Sequence, residues 1–340
     1  MKLQNDKIQV ELLDCTLRDG GYANNFQFTM RDTQNICSNL DLAGIKMIEV
    51  GHGMGIGVES PRLGVPFESD IDYLESARNA TSNAKIGAFF IPGVGEKKKL
   101  KEVVENKLLD FFRIGVDVND ISQAKSVAEE ILSKGVDVHI NLMKTYALPV
   151  HSILEQLESF IGLDLTSIYV VDSAGCMLPF EVSEYVNELK NSGWNIGFHG
   201  HNNLQLANAN CLSAINAGAN LIDGTLSGMG RSAGNAQTEV LSWIIGQAGY
   251  HSNIDTFSLF ETIEKYLKPI MNIPQGNDIM DIVIGMSKFH SGYLSMFKRA
   301  IGKYDINIYH LIQQVSEINC INPSEELIES IAKDLSRTNG

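Results

Sequence analysis

An α/β barrel with a helical appendage is the fold class that this 340-residue sequence predicts, and three observations predict it. Short β-rich runs alternate with helical patterns from Ile8 to about Gly249, after Tyr250 the pattern turns to helices alone, and unusual polar residues collect where the β-rich runs end. Eight βα units in roughly 240 residues are what a (β/α)8 TIM barrel requires, with a doubly wound sheet as the runner-up. The division drawn from this pattern is a catalytic barrel over 1–250 and a helical C-terminal domain over 255–340.

The predicted strands are 10–15, 47–50, 86–90, 111–116, 136–142, 167–171, 195–198 and 221–225. Each is short and rich in β-branched or aromatic residues, and apolar residues at helical spacing lie between them, as in Ala124, Val127, Ala128, Ile131 and Leu132. In a barrel the chemistry sits at the C-terminal ends of the strands. There the sequence places Asp14, Arg18 and Asp19, then Glu49 and His52, then Arg113, then Asn141 and Lys144, then Asp172 and Ser173, then His199 and His201, and finally Asn235. Beyond the barrel, helices are expected over 257–266, 281–304, 308–315 and 324–335, with Pro269, Pro274 and Gly276 punctuating the junction. The units share no recurrent sequence, and low-complexity segments are absent.

Composition narrows the function. With 44% hydrophobic and 20% charged residues, the chain is well supplied for a core. A formal net charge of −14 speaks against a nucleic-acid partner, because binding phosphates needs a basic surface. The densest basic run, Lys97 to Lys99 with Lys101, is flanked by Glu96, Glu102 and Glu105 and reads as a solvated helix face. Five cysteines without a C-x-x-C spacing suit reduced thiols. Met1 to Lys7 is polar, and no apolar run is long enough to span a bilayer, so a cytoplasmic protein is expected, with no membrane partner. Gly51 to Gly57 is glycine-rich but lacks the G-x-G-x-x-G spacing, and no nucleotide cofactor is expected.

The sharpest signal is Gly197-Phe198-His199-Gly200-His201-Asn202-Asn203. Residues two apart on a strand point to one face, so both imidazoles converge. Two imidazoles and a carboxylate meeting at a barrel mouth suit Mn²⁺ or Mg²⁺, with Zn²⁺ or Co²⁺ as alternatives; the lack of a cysteine ligand weakens zinc.

Three motifs carry a resemblance. Asp14-Cys15-Thr16-Leu17-Arg18-Asp19-Gly20, His199-Gly200-His201-Asn202-Asn203 and Gly228-Met229-Gly230-Arg231-Ser232-Ala233-Gly234-Asn235-Ala236 resemble the HMG-CoA lyase-like superfamily, which also holds isopropylmalate and homocitrate synthases. Within it the chain is most similar to the 4-hydroxy-2-oxovalerate aldolase family, nearly full length and including a tail from Ser291-Gly292-Tyr293 to Lys303-Tyr304. The resemblance implies Asp19, His199 and His201 as metal ligands and Asn235 as a neighbour that is a ligand in the lyase branch. It implies Arg18 as the enolate stabiliser and Ser173 as a contact to the pyruvate carboxylate. A structural ion pair with Asp14 or Asp19 is the alternative for Arg18. The implied substrates are a small 2-oxo acid and an aldehyde, and the implied partners are an acylating aldehyde dehydrogenase or a second copy of the chain.

Two positions depart from the family pattern. Where the family carries a histidine as base two residues after the Gly of R-D-G, this chain has Tyr22, and the family's C-terminal tyrosine aligns with His290. An unperturbed tyrosine is ionised only about one part in a thousand at neutral pH, which sets it some 4 kcal/mol behind a histidine as a base. His290 is therefore the expected general base, Tyr22 its hydrogen-bonding companion, and residues 21–25 the shapers of the aldehyde side.

The expected activity is a metal-dependent pyruvate aldolase, cleaving or forming a 4-hydroxy-2-oxo acid. A Claisen-type acyltransferase condensing acetyl-CoA with a 2-oxo acid is the alternative, although the synthases read R-D-G-E-Q where this chain has Arg18-Asp19-Gly20-Gly21-Tyr22. A Schiff-base aldolase using Lys144 and a non-catalytic barrel subunit are the remaining readings.

Overall fold

In a computed structural model, which describes residues 9–58, 63–272, 275–276 and 278–338, eight parallel strands close into one barrel in chain order. They are β1 (Glu11–Asp14), β2 (Met47–Glu49), β3 (Lys85–Phe90), β4 (Phe111–Asp117), β5 (Asp137–Met143), β6 (Ser167–Asp172), β7 (Ile196–Gly200) and β8 (Leu221–Gly224). The ring closes where β1 pairs with β8, Leu13 opposite Asp223 and Asp14 opposite Gly224. All eight expected strands form, with ends shifted by one or two residues. The polar stretch at Met1 to Lys7, Ile8 and Pro274 lie outside the described residues.

Period-two alternation sorts the strand side chains into two layers. In β4, Phe112, Ile114 and Val116 face the helices and join the main core, while Phe111 and Arg113 point into the barrel. Bulky side chains filling the interior require small ones opposite them: a Cβ on Gly87 would lie 2.1 Å from the Phe111 ring, and one on Gly197 would lie 2.5 Å from Tyr169. In β7 the same alternation sends Ile196 and Phe198 outward into the core and leaves His199 on the inner face.

The segment after Tyr250 first continues the barrel. Helix Thr256–Thr262, capped by Asp255 through the N–H groups of Phe257 and Ser258, runs into a π-helical turn, Ile263–Leu267. Leu259, Ile263 and Leu267 belong to the barrel's core. A second core, built on Phe289, Phe297, Leu311, Ile312, Val315 and Ile328, begins later. We propose that the boundary between the two units runs after this helix rather than at 255.

One helix differs from expectation. The segment 281–304 is two helices, Ile279–Met286 and Leu294–Lys303, separated by a turn with Lys288 at φ +51° and a short 3-10 helix, Ser291–Tyr293. The apolar spacing runs unbroken through the gap, which is why the sequence reads as one helix. Tertiary docking overrides it: Phe289 is buried in the second core, and His290 caps the following turn by accepting the Gly292 N–H. Helices Ile308–Asn319 and Glu325–Thr338 complete this unit. Among the described residues no helix is long and apolar enough to cross a membrane.

Candidate active site

A cavity of about 420 Å³ opens at the C-terminal ends of the strands, lined among others by Arg18, Asp19, Tyr22, Lys144, Ser173, His199, His201, Arg231 and His290. The first motif reaches it through a tight turn, in which the Cys15 carbonyl accepts the N–H groups of Arg18, Asp19 and Gly20. Asp14 stays behind as framework. Its carboxylate accepts the Thr16 N–H and the Thr238 hydroxyl, and burial, only partly offset by those hydrogen bonds, pushes it up to about 6.

The second and third motifs are zipped together by backbone. The Gly234 carbonyl accepts the Asn202 N–H at 2.9 Å, the Gly200 carbonyl accepts the Ala236 N–H at 3.2 Å, and His201 and Asn235 form an isolated antiparallel bridge. Gly234 makes this closure: at φ +83° its missing Cβ would sit 2.0 Å from the Gly228 carbonyl oxygen.

The donor atoms of Asp19, His199 and His201 lie within 4.8 Å of one another, and all three side chains are buried. The imidazoles are already oriented. Nδ1 of His199 faces a carboxylate oxygen of Asp223 at 2.8 Å, and Nδ1 of His201 faces the Gly234 carbonyl at 3.2 Å. Both partners are acceptors, so each Nδ1 carries a proton and each Nε2 is the nitrogen left to face the cavity. Burial lowers His201 to about 3, so it is neutral at pH 7. Burial alone would raise the Asp19 carboxyl, but Arg18, His201, His199 and Arg231 outweigh it and hold the group well below the usual carboxylate range. One anionic oxygen donor and two imidazole Nε2 atoms, with a carboxylate behind one ring, fit a divalent cation. Asn235 adjoins this set, donating to Asp19 at 2.6 Å and to the Met229 carbonyl at 3.0 Å, while its amide oxygen is buried and unpaired.

Beneath the cavity floor lies a charge-balanced layer. Glu49 accepts from Arg18 Nε at 2.7 Å and from Arg113 at 3.2 Å, and Arg113 donates to Asp223 at 2.5 Å while stacking over Tyr169. Arg18 also pairs with Asp19 at 2.9 Å and lies over the Phe89 ring. The ion pair posed as the alternative for Arg18 thus forms with Asp19, and the guanidinium lines the cavity as well.

On the opposite wall the Ser173 hydroxyl accepts the Lys144 N–H at 2.9 Å. The Lys144 ammonium is surrounded by acceptors: Asp117 at 2.9 Å, the Ile321 carbonyl at 3.0 Å and the Asn322 amide oxygen at 2.8 Å. His290 enters from the C-terminal unit, its Nδ1 accepting from Gly292 at 3.1 Å and its ring touched by Arg231 Nη1. Burial, with Arg231 and Lys144 adding to it, holds His290 well below the usual histidine range. Tyr22 lines the same cavity, edge-on to Phe26 at 4.9 Å, and burial raises its phenol.

Not every residue at a strand end reaches the cavity. His52 stacks on Phe26 at 4.2 Å and accepts the Met54 N–H, and Asp172 accepts the N–H groups of Cys176 and Met177 as a turn support. Conversely, sequence reasoning assigned no role to Asp223, Arg231, Tyr293 or Asn322. Asp223 had a signal: it is the inward position of Leu221-Ile222-Asp223-Gly224. Arg231 sat inside the third motif, but nothing local says that it turns towards His290.

Residues 9–265 match the family model described as HMGL-like. The chain is 36% identical to 4-hydroxy-2-oxovalerate aldolase 2 of Nocardia farcinica over 96% of its length and 94% of that protein, and 35% identical to 4-hydroxy-2-oxovalerate aldolase of Chloroflexus aggregans over 97% and 96%. Among solved structures, the N-terminal domain of a putative aldolase from Bacteroides vulgatus superposes with a TM-score of 0.74 at 27% identity, covering 84% of this chain and 95% of that one.

Proposed function

Since the chain belongs to the HMGL-like family, we propose that it is a divalent-metal-dependent pyruvate aldolase, which cleaves a 4-hydroxy-2-oxo acid to pyruvate and an aldehyde or runs the reverse addition. The observation that carries this reading is the convergence of Asp19, His199 and His201 in one cavity with Arg18 and Ser173. Held by those three ligands with Asn235 beside them, a cation, Mn²⁺ or Mg²⁺ by the hard oxygen donor, would supply Lewis-acid polarisation of the 2-oxo group.

The chain's own residues supply the rest. His290, neutral because it is buried beside Arg231, takes the proton from the 4-hydroxyl. The C3–C4 bond then breaks, the aldehyde departs, and the electron pair moves into the enolate of pyruvate. Arg18, fixed by Glu49 and Asp19, presents its guanidinium to the enolate oxygen without reorganising. The Ser173 hydroxyl orients the carboxylate, and a proton returned to C3 releases pyruvate. Tyr22 stands by the leaving aldehyde as a hydrogen-bond donor, its proton retained by burial.

Lys144 is poorly placed as a Schiff-base nucleophile, because its Nζ is already engaged by the Asp117 carboxylate and two carbonyl oxygens. The five cysteines are free thiols, which supports a cytoplasmic location, and the helical C-terminal unit, with Ile279, Met286 and Ile318 exposed, offers a surface to an aldehyde dehydrogenase or a second copy.

Incubating pyruvate and a set of aldehydes with the Mn²⁺-loaded protein, and weighing the products, tests the reading. Aldol product that disappears on exhaustive chelation and returns with Mn²⁺ is expected. Thiol release from acetyl-CoA and a 2-oxo acid, with no aldol product, would transfer the assignment to the acyltransferase.

A further inference from the structure

Three cationic side chains line the cavity, and two of them are neutralised in place: Arg18 by Glu49 and Asp19, and Lys144 by Asp117. Arg231 differs. Among the described residues no carboxylate pairs with it; Nη2 donates to the Ser173 carbonyl at 3.2 Å, and its other contacts are the rings of His290 and His201. Neither ring is a matched acceptor. A neutral imidazole has one lone pair, and in the aldolase reading that of His290 is reserved for the substrate proton, with Nδ1 also facing the Gly292 N–H. The lone pair of His201 that Arg231 approaches, Nε2 at 3.4 Å, is the one turned towards the ligand set. A guanidinium carries five donors in a planar fork matched to carboxylate and phosphate, and this one spends a single bond on a well-matched protein acceptor.

Its position selects which half of the substrate it meets. Nη2 of Arg231 lies at the Ser173 carbonyl, on the pyruvate side, and Nη1 lies at His290, which stands at the 4-hydroxyl in the aldolase reading, so a group gripped at the Nη1 end hangs from the aldehyde carbon. We propose that Arg231 is a specificity-determining residue that binds an anionic group, carboxylate or phosphate, on the aldehyde half of the substrate; this rests on the aldolase reading of the same cavity. Neutral short aldehydes are then poor substrates, and the reaction that supplies the aldehyde is one that yields an acidic aldehyde.

Matched acceptor pairs test the idea with the full-length, Mn²⁺-loaded protein and pyruvate: butanal against succinate semialdehyde, and glyceraldehyde against glyceraldehyde 3-phosphate. The anionic member of at least one pair should be preferred by about tenfold or more in kcat/KM, and which pair shows it separates carboxylate from phosphate. In R231M that preference should shrink by about tenfold or more, and R231K, which keeps the charge but not the fork, should retain part of it. Arg231 is partly exposed, and unfolding curves of both variants confirm that the comparison concerns folded protein. Preference for the neutral member in both pairs overturns the inference alone. So does an equal loss for both members in R231M, which would put Arg231 on the pyruvate half. Absence of product with every aldehyde overturns the aldolase reading and this inference with it.

Discussion

Nδ1 of His199 lies 2.8 Å from Asp223, and the same carboxylate oxygen accepts from Arg113 at 2.5 Å. Two cationic or protonated donors thus hold one carboxylate on the barrel floor, and that carboxylate sets the tautomer of a ring whose Nε2 is 3.9 Å from Asp19. Outer partners of this kind raise ligand basicity and fix ring orientation, and losing them typically weakens metal binding about 10- to 100-fold.

Asp223→Asn should therefore raise the Mn²⁺ dissociation constant by about that factor, measured by calorimetry on metal-free protein. Equal affinity in variant and parent would show that Asp223 serves only Arg113.

Arg18 is expected to act on the enolate oxygen, as one preorganised donor. Arg18→Ala should lower kcat by about 10²- to 10³-fold, with Arg18→Lys in between. Because Glu49 and Asp19 would lose a buried cation, unfolding curves must accompany the kinetics. A loss confined to KM would place Arg18 in ground-state binding instead.

His290 should be needed for cleavage and not for enolisation. In His290→Ala the retro-aldol rate should fall about 10²-fold or more, while exchange of the pyruvate methyl protons in D₂O persists. Unchanged cleavage would remove His290 as the base and leave Tyr22 as the remaining candidate.

Stability should fall with rising pH through Glu239. Burial pushes this carboxyl up to about 7, against an ordinary value of 4.5. A carboxyl raised in the folded state leaves stability intact below the unfolded value and loses it as pH climbs through the folded one. Between about pH 4.5 and 7 the loss is about 3 kcal/mol, and Glu239→Gln should remove that part of the slope in urea unfolding. Asp14, raised to about 6, keeps a residual slope of the same sign. An identical slope in the variant would mean that Glu239 is solvated.

The strands and the paired imidazoles were legible because each rests on a local rule, whereas Asp19 was assigned beside them by the resemblance. Alternation put His199 and His201 on one face without any knowledge of the partner, and the tight turn on the Cys15 carbonyl carries Arg18 and Asp19 to the cavity wall. His52 and Asp172 obeyed the same rule and still missed the cavity, since a strand-end position says nothing about whether a ring stacks or a carboxylate caps.

By itself, then, the amino-acid sequence determined the barrel and the convergence of the paired imidazoles, both matters of periodicity, while the resemblance of three motifs pointed to Asp19 as the carboxylate beside them. Only the tertiary structure decided that 281–304 breaks at Phe289 and His290, that Asp223 stands behind His199, and that Arg231 meets His290 with no carboxylate of its own among the described residues. Those contacts join residues 24 to 59 positions apart. Their energy depends on which faces the closed barrel and the second core bring together, and a local pattern carries no information about that choice.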